Sequence, residues 1–163
     1  MQKIMFVCTG NICRSPLAHA VFAHKAAERG VADQYQLESS GLTAYHVGDN
    51  ADPRMRRTAA QRGVNLDHMA RRFMPVDLES YDLILAMDQG HFSDMRRMAA
   101  DDNERAKIRM FREFDPEARD GAEVPDPYYG GARGFDDVYD IVERTTETLL
   151  DALERVRREG GSL

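Results

Sequence analysis

A nucleophile, a cation and a helix start stand together near the amino terminus, in Cys8-Thr9-Gly10-Asn11-Ile12-Cys13-Arg14-Ser15-Pro16. The spacing of Cys8 and Arg14 is weak on its own; its setting gives it meaning. Cys8 ends the apolar run Lys3–Cys8, which reads as a buried strand. Ser15-Pro16 opens a helix, with Ser15 as N-cap and Pro16 at the first helical position. Between them, Gly10 and Asn11 are the residue types that best tolerate left-handed backbone. Such a loop can turn successive N–H groups inward as an anion nest, and the helix terminus adds partial positive charge there. A thiol in that nest is favoured as thiolate. The same groups fit phosphate oxygens, and the planar fork of Arg14 can bind two of them. Cys8 is then expected to attack phosphorus and form a phosphocysteine, with the Ser15 hydroxyl supporting the sulfur. The plainer alternative is a structural cysteine buried at a strand end.

A thiolate nucleophile needs a proton donor for the leaving oxygen. Val124-Pro125-Asp126-Pro127-Tyr128-Tyr129-Gly130 offers Asp126, on backbone stiffened by two prolines. Tyr128 and Tyr129 can wall a slot for a flat aromatic group. Of the three Asp-Pro pairs, Asp52 reads as a helix cap and Asp115 is the second candidate acid.

These residues must be positioned by the elements around them. Strands are expected at Lys3–Cys8, Tyr35–Ser40, Tyr81–Met87 and Lys107–Met110. The first helix carries a stripe of Leu17, Ala20, Val21 and Ala27 and stops at Gly30. A second runs from Asp52-Pro53 to Arg62-Gly63, and a third from Asp88, as its cap, to about Ala100. Residues 115–133 read as a long loop, which in a compact domain is usually functional. Phe135, Val138, Ile141/Val142, Thr145, Leu149, Leu153 and Val156 then recur at helical spacing. Alternating strands and helices imply an α/β fold: a small doubly wound sheet of about four parallel strands with helices on both faces. Ligands in such folds sit at the carboxyl ends of the strands.

The bulk properties agree. The chain has 163 residues, 42% hydrophobic and 31% charged, which suits one globular domain over 1–163. Twenty-eight acidic against 22 basic residues give a net charge of −6. Nucleic acid is therefore disfavoured as a partner, and an anionic substrate must be caught locally. No apolar run reaches the roughly 20 residues of a membrane helix. Two cysteines without a secretory leader point to a reducing, cytoplasmic setting. Cys8 and Cys13 are wrongly spaced for a zinc knuckle, so neither metal nor cofactor is expected.

Cys8 through Pro16, together with Asp126-Pro127-Tyr128-Tyr129-Gly130, resembles the low-molecular-weight protein tyrosine phosphatase family, and order and spacing agree along essentially the whole chain. The resemblance implies a phosphate loop after the first strand and metal-free hydrolysis of phosphotyrosine in proteins. Cys8 matches the family nucleophile, Arg14 the phosphate clamp and Asp126 the general acid. Thr9, Gly10, Asn11, Ile12, Cys13 and Ser15 fall on the phosphate-binding loop. Cys13 matches a partner able to form a reversible disulfide with the nucleophile. Asn11 matches a strained residue tied down by a network, of which Ser39 and His68 look like further members. Asp88 falls on a recurrent, structural acid. Tyr45 lies in the family's variable loop, where it can meet the substrate ring. His19 and His24 are expected at the surface. Phosphate and oxyanion inhibitors are the expected small ligands, and the protein is expected to be a monomer or weak dimer.

Three rivals differ in detail. Arsenate reductases of this fold shuttle a disulfide through further cysteines, and there is no Cys after Cys13. Protein-arginine phosphatases of the same family carry Thr where this chain has Ile12. A non-catalytic phosphate-binding or redox module would have kept every working part.

Overall fold

A computed structural model describes residues 1–128 and 130–163. Four parallel strands form one sheet in the order β2-β1-β3-β4. They are β1 (Gln2–Cys8), β2 (Tyr35–Gly41), β3 (Leu83–Ala86) and β4 (Ile108–Met110). The helices are α1 (Arg14–Glu28), α2 (Pro53–Gln61), α3 (Pro75–Ser80), α4 (Gln89–Met98), α5 (Asp102–Lys107) and α6 (Ala132–Glu159). None is long and apolar enough, among the described residues, to cross a membrane.

The central strand explains its own composition. Ile4, Phe6 and Cys8 face a core shared with Leu17, Val21 and Phe22 of α1 and Val138, Val142 and Leu149 of α6. Met5 and Val7 face a second core with Phe73, Leu78, Ile84 and Met95. A strand covered on both faces shows an unbroken apolar run instead of alternation. β1 has β2 on one side and β3 on the other. The connections leaving their carboxyl ends diverge there and open a crevice.

Several boundaries differ from expectation. Helix α1 begins at Arg14, its N-cap position is Cys13, and no side chain caps it. Ser15 lies inside the first turn because its hydroxyl is engaged with the Cys8 sulfur. Pro16 is tolerated there, since first-turn amides have no intrahelical acceptor. Ala26, not Ala27, is buried on α1, where the tight turn at Gly30 (φ 71°) ends the helix. β3 and β4 are shorter than expected, and α4 stops at Met98. Helices α3 and α5, six residues each, escaped a reading based on periodicity because they barely exceed one turn.

Candidate active site

The loop from Cys8 to Ser15 is held from behind. The carbonyl of Cys8 accepts from the Leu42 amide (3.0 Å), that of Thr9 from Thr43 (3.0 Å), and that of Ile12 from Asp52 (2.8 Å). The Asn11 carbonyl accepts from His68 Nε2 (2.9 Å) and the Cys13 carbonyl from the Leu17 amide (3.2 Å). In a trans peptide the C=O and the following N–H point opposite ways. Five carbonyls turned back therefore turn the amides of Thr9, Gly10, Ile12, Cys13 and Arg14 toward the cleft.

Close packing makes this possible. Gly41 ends β2 opposite Cys8. A Cβ at Gly41 would lie 2.7 Å from the Thr9 carbonyl oxygen and 2.9 Å from the Asn11 nitrogen, so only glycine fits. Asn11, at φ 59°, is the one described non-glycine residue with positive φ. Such backbone costs about 1–3 kcal/mol and persists only when its surroundings insist. Here they do. Asn11 Nδ2 donates to Ser15 Oγ (2.9 Å) and Ser39 Oγ (3.0 Å), while Oδ1 accepts from the Arg71 amide (2.9 Å) and His68 Nε2 (2.9 Å). Burial pushes the His68 imidazole below its ordinary pKa, which favours the neutral donor.

Ser15 Oγ lies 2.9 Å from Cys8 Sγ. It accepts from Asn11, so its own proton is free to go to the sulfur; the alternative acceptor, the Ser40 carbonyl, is farther away at 3.4 Å. Cys13 is buried, and burial first, then the charges of Asp52 and Cys8, push its thiol far above the usual range.

Arg14 is only 4% exposed. Its Nη1 donates to Asp88 Oδ2 (3.1 Å) and the Val124 carbonyl (3.0 Å). Its Nη2 donates to Thr9 Oγ1 (3.3 Å) and lies 3.6 Å from Asp126 Oδ2. Burial opposes ionisation of Asp88, but the hydrogen bond from the His91 amide and the Arg14 guanidinium outweigh it and hold the carboxyl below its usual range.

The acid loop is strapped in from both ends. The Val124 amide donates to the Met87 carbonyl at 2.8 Å, and Asp126 Oδ1 accepts from the Tyr128 amide at 3.0 Å. Arg54 Nη2 donates to the Tyr128 carbonyl at 3.3 Å, and its guanidinium lies over the rings of Tyr128 (5.3 Å) and Phe135 (4.7 Å). Asp52, which caps α2 as expected, holds that guanidinium through Arg54 Nε (3.1 Å) and Nη2 (2.8 Å).

Cys8, Arg14, Asp126, Ile12, Tyr45 and Tyr128 thus share one cleft of about 550 Å³ with Thr9, Gly10, Cys13, Thr43 and His46. Ser39 and His68 stand behind the loop. Tyr129 falls outside the described residues. Asp115 has no place in the cleft: its side chain is fully buried between Arg112 (2.8 Å) and Arg144 (2.9 Å), which ties the chain after β4 to α6. His19 is half-buried, not a surface residue, because α1 packs it toward the segment carrying His68. His24 is exposed. Sequence reasoning missed Gly41, Thr43, Arg54 and His91. Only the shared Asp-Pro-Arg start of α2 hinted at Arg54, and the other three depend on distant partners.

Comparison with known proteins bears on the family and the fold. Residues 3–159 match the family described as low molecular weight phosphotyrosine protein phosphatase. A low molecular weight protein-tyrosine-phosphatase of Streptomyces coelicolor is 41% identical over 152 residues, 93% of each chain. The crystal structure of a protein tyrosine phosphatase from Entamoeba histolytica, with Hepes in its active site, superposes with a TM-score of 0.91 at 36% identity, covering 96% of this chain and 99% of that one. The arginine phosphatase YwlE of Bacillus subtilis superposes at 0.85 with 28% identity, covering 96% and 99%.

Proposed function

The chain belongs to the low molecular weight phosphotyrosine protein phosphatases, and from that premise we propose that it hydrolyses phosphotyrosine in proteins in two steps, through a phosphocysteine on Cys8. The Cys8 thiolate attacks phosphorus. The S–P bond forms as the P–O bond to the ring breaks, and the departing oxygen takes its electron pair and a proton from Asp126. Water then attacks phosphorus and gives a proton to Asp126. The S–P bond breaks, phosphate leaves, and the sulfur recovers its electron pair beside the Ser15 hydroxyl. Arg14 and the loop amides hold the phosphoryl oxygens throughout. No metal or cofactor enters this reading.

The observation that supports it most is the set of five loop carbonyls bonded from behind, which aims five amides at the mouth above Cys8. Ile12 and Tyr128 on the cleft walls suit an aryl group better than a guanidinium. Cys13, a neutral thiol in the same loop, would close a disulfide with an oxidised Cys8, and a reducing cytoplasm would reopen it.

The test compares phosphotyrosine, phosphoserine and phosphoarginine peptides with wild type and Cys8→Ser. Phosphotyrosine should be hydrolysed fastest, and Cys8→Ser should bind vanadate without turning over. Preference for phosphoarginine would overturn the substrate, and turnover by Cys8→Ser the nucleophile.

A further inference from the structure

We infer that Thr9 is a further substrate-binding donor, giving its hydroxyl proton to the phosphoryl oxygen that Arg14 holds, and that His91 is the positioning residue that aims it. This rests on the phosphatase reading above and adds two side chains to it.

The direction follows from hydrogen-bond bookkeeping at one buried imidazole. His91 sits in the first turn of α4 and is 4% exposed. Its Nε2 lies 2.8 Å from Thr9 Oγ1. Its Nδ1 lies 3.2 Å from the Asp88 amide nitrogen and 3.2 Å from Asp88 Oδ1. Only one of those neighbours can be its partner. The Asp88 carboxylate does not depend on the ring for a donor, since Oδ1 accepts from the His91 amide at 2.9 Å and Oδ2 from Arg14 at 3.1 Å. The Asp88 amide has Nδ1 as its acceptor, and a buried N–H left without one is costly. Nδ1 is therefore the bare nitrogen and Nε2 carries the proton, which it donates to Thr9.

Thr9 Oγ1 then accepts twice, from His91 Nε2 and from Arg14 Nη2 at 3.3 Å. A hydroxyl has two acceptor sites and one proton. With both sites filled, the proton is left to be donated elsewhere, and Thr9 lines the cleft beside Arg14. The oxygen that the guanidinium grips is the nearest anion such a hydroxyl would meet. The backbone cannot swing away, because the Thr9 carbonyl is held by both the amide (3.0 Å) and the hydroxyl (3.1 Å) of Thr43. Burial keeps His91 neutral by lowering its pKa to about 4, against the pull of Asp88. A cationic ring would turn an N–H against the Asp88 amide and break the relay.

Three measurements decide. Two-bond proton–nitrogen NMR correlations on the wild-type protein with vanadate bound should show His91 protonated at Nε2; protonation at Nδ1 overturns the inference. Thr9→Val should lower kcat/KM for an aryl phosphate and weaken vanadate binding roughly tenfold or more, the size of one hydrogen bond to a charged group. Thr9→Ser should recover most of that loss, and an undiminished Thr9→Val overturns the donor role. His91→Ala should cost rate in the wild-type background but little further in Thr9→Val, whereas additive losses would mean His91 does not act through Thr9. A wild type with no turnover would sink the phosphatase reading; an active wild type with an indifferent Thr9→Val sinks this inference alone.

Discussion

Asp88 Oδ2 accepts from Arg14 Nη1 at 3.1 Å, so the guanidinium facing the cleft is fastened by the same residue that caps α4. The two duties separate by substitution. Asp88→Ala loses both, and should lower stability by about 1 kcal/mol for the missing cap. Its kcat/KM should fall roughly tenfold as Arg14 loses its fixed direction. Asp88→Asn keeps a capping oxygen, so its denaturation midpoint should stay near the wild type while the rate loss remains. An Asn variant with full activity would show that Arg14 needs no anchor there.

Asn11 separates backbone strain from side-chain bonding in the same manner. Asn11→Gly accepts φ 59° without strain but loses all four side-chain hydrogen bonds. Asn11→Ala loses the bonds and keeps the strain, so it should be less stable than the Gly variant by about 1 kcal/mol. Both should lose phosphatase activity, because Ser15 would no longer be held against Cys8. Chemical denaturation ranks the pair, and equal stabilities would mean that the loop has relaxed out of its left-handed turn.

The parts of the site that could be read from the chain are those carried by short motifs, the loop after β1 and the Pro125-Asp126-Pro127 turn above all. Cys8 to Ser15 writes a strand end, a left-handed turn and a helix start into eight neighbouring positions, and α6 repeats its apolar residues long enough to show its period. What escaped is tertiary. Thr9 meets His91 across 82 residues and Arg54 meets the Tyr128 carbonyl across 74. Neither pair has a local pattern. Gly41 is required by the approach of another strand's loop, not by any turn of its own. The expectation that Ser15 caps α1 went wrong for a related reason: the hydroxyl had a better partner outside its own helix, in the Cys8 sulfur.

The two cysteines should react differently. The raised Cys13 thiol stays protonated at neutral pH. Iodoacetamide should therefore alkylate Cys8 first, and phosphate should protect it. Under peroxide, Cys8 is oxidised to the sulfenic acid; Cys13 then attacks that sulfur, the S–S bond forms, and water leaves with the thiol proton. Mass spectrometry should find a Cys8–Cys13 disulfide that dithiothreitol reverses. A sulfonic Cys8 with free Cys13 would refute this.

Asp126 should matter in proportion to how badly the leaving group needs a proton. Asp126→Ala should slow phenyl phosphate far more than p-nitrophenyl phosphate, whose anion departs unaided. Equal losses would put the proton donor elsewhere. Arg54→Leu should give a weaker version of the same pattern. It removes the hydrogen bond and the stacking that fasten Tyr128, and so loosens the acid beside it. Its KM should change less than its kcat.

Acid should weaken the fold through its buried histidines before it reaches most carboxylates. His68 and His91 both lie below the usual 6.5, chiefly through burial, and His91 falls to about 4. Between those two values the unfolded chain binds a proton that the native His91 refuses. The stabilisation is complete above about 6.5 and is lost as pH falls toward 4, with a slope approaching ~1.4 kcal/mol per pH unit for one proton. Glu154, held down to about 2 by Arg157, adds its own loss only below the usual 4.5. Urea midpoints across this range should therefore fall for the wild type from about pH 6.5. In His91→Asn the fall should be shallower between 6.5 and 4, because one of the refusing groups is gone. An unchanged slope in that variant would mean that His91 takes up its proton within the fold, and that the neutral ring beside Thr9 is not maintained in solution.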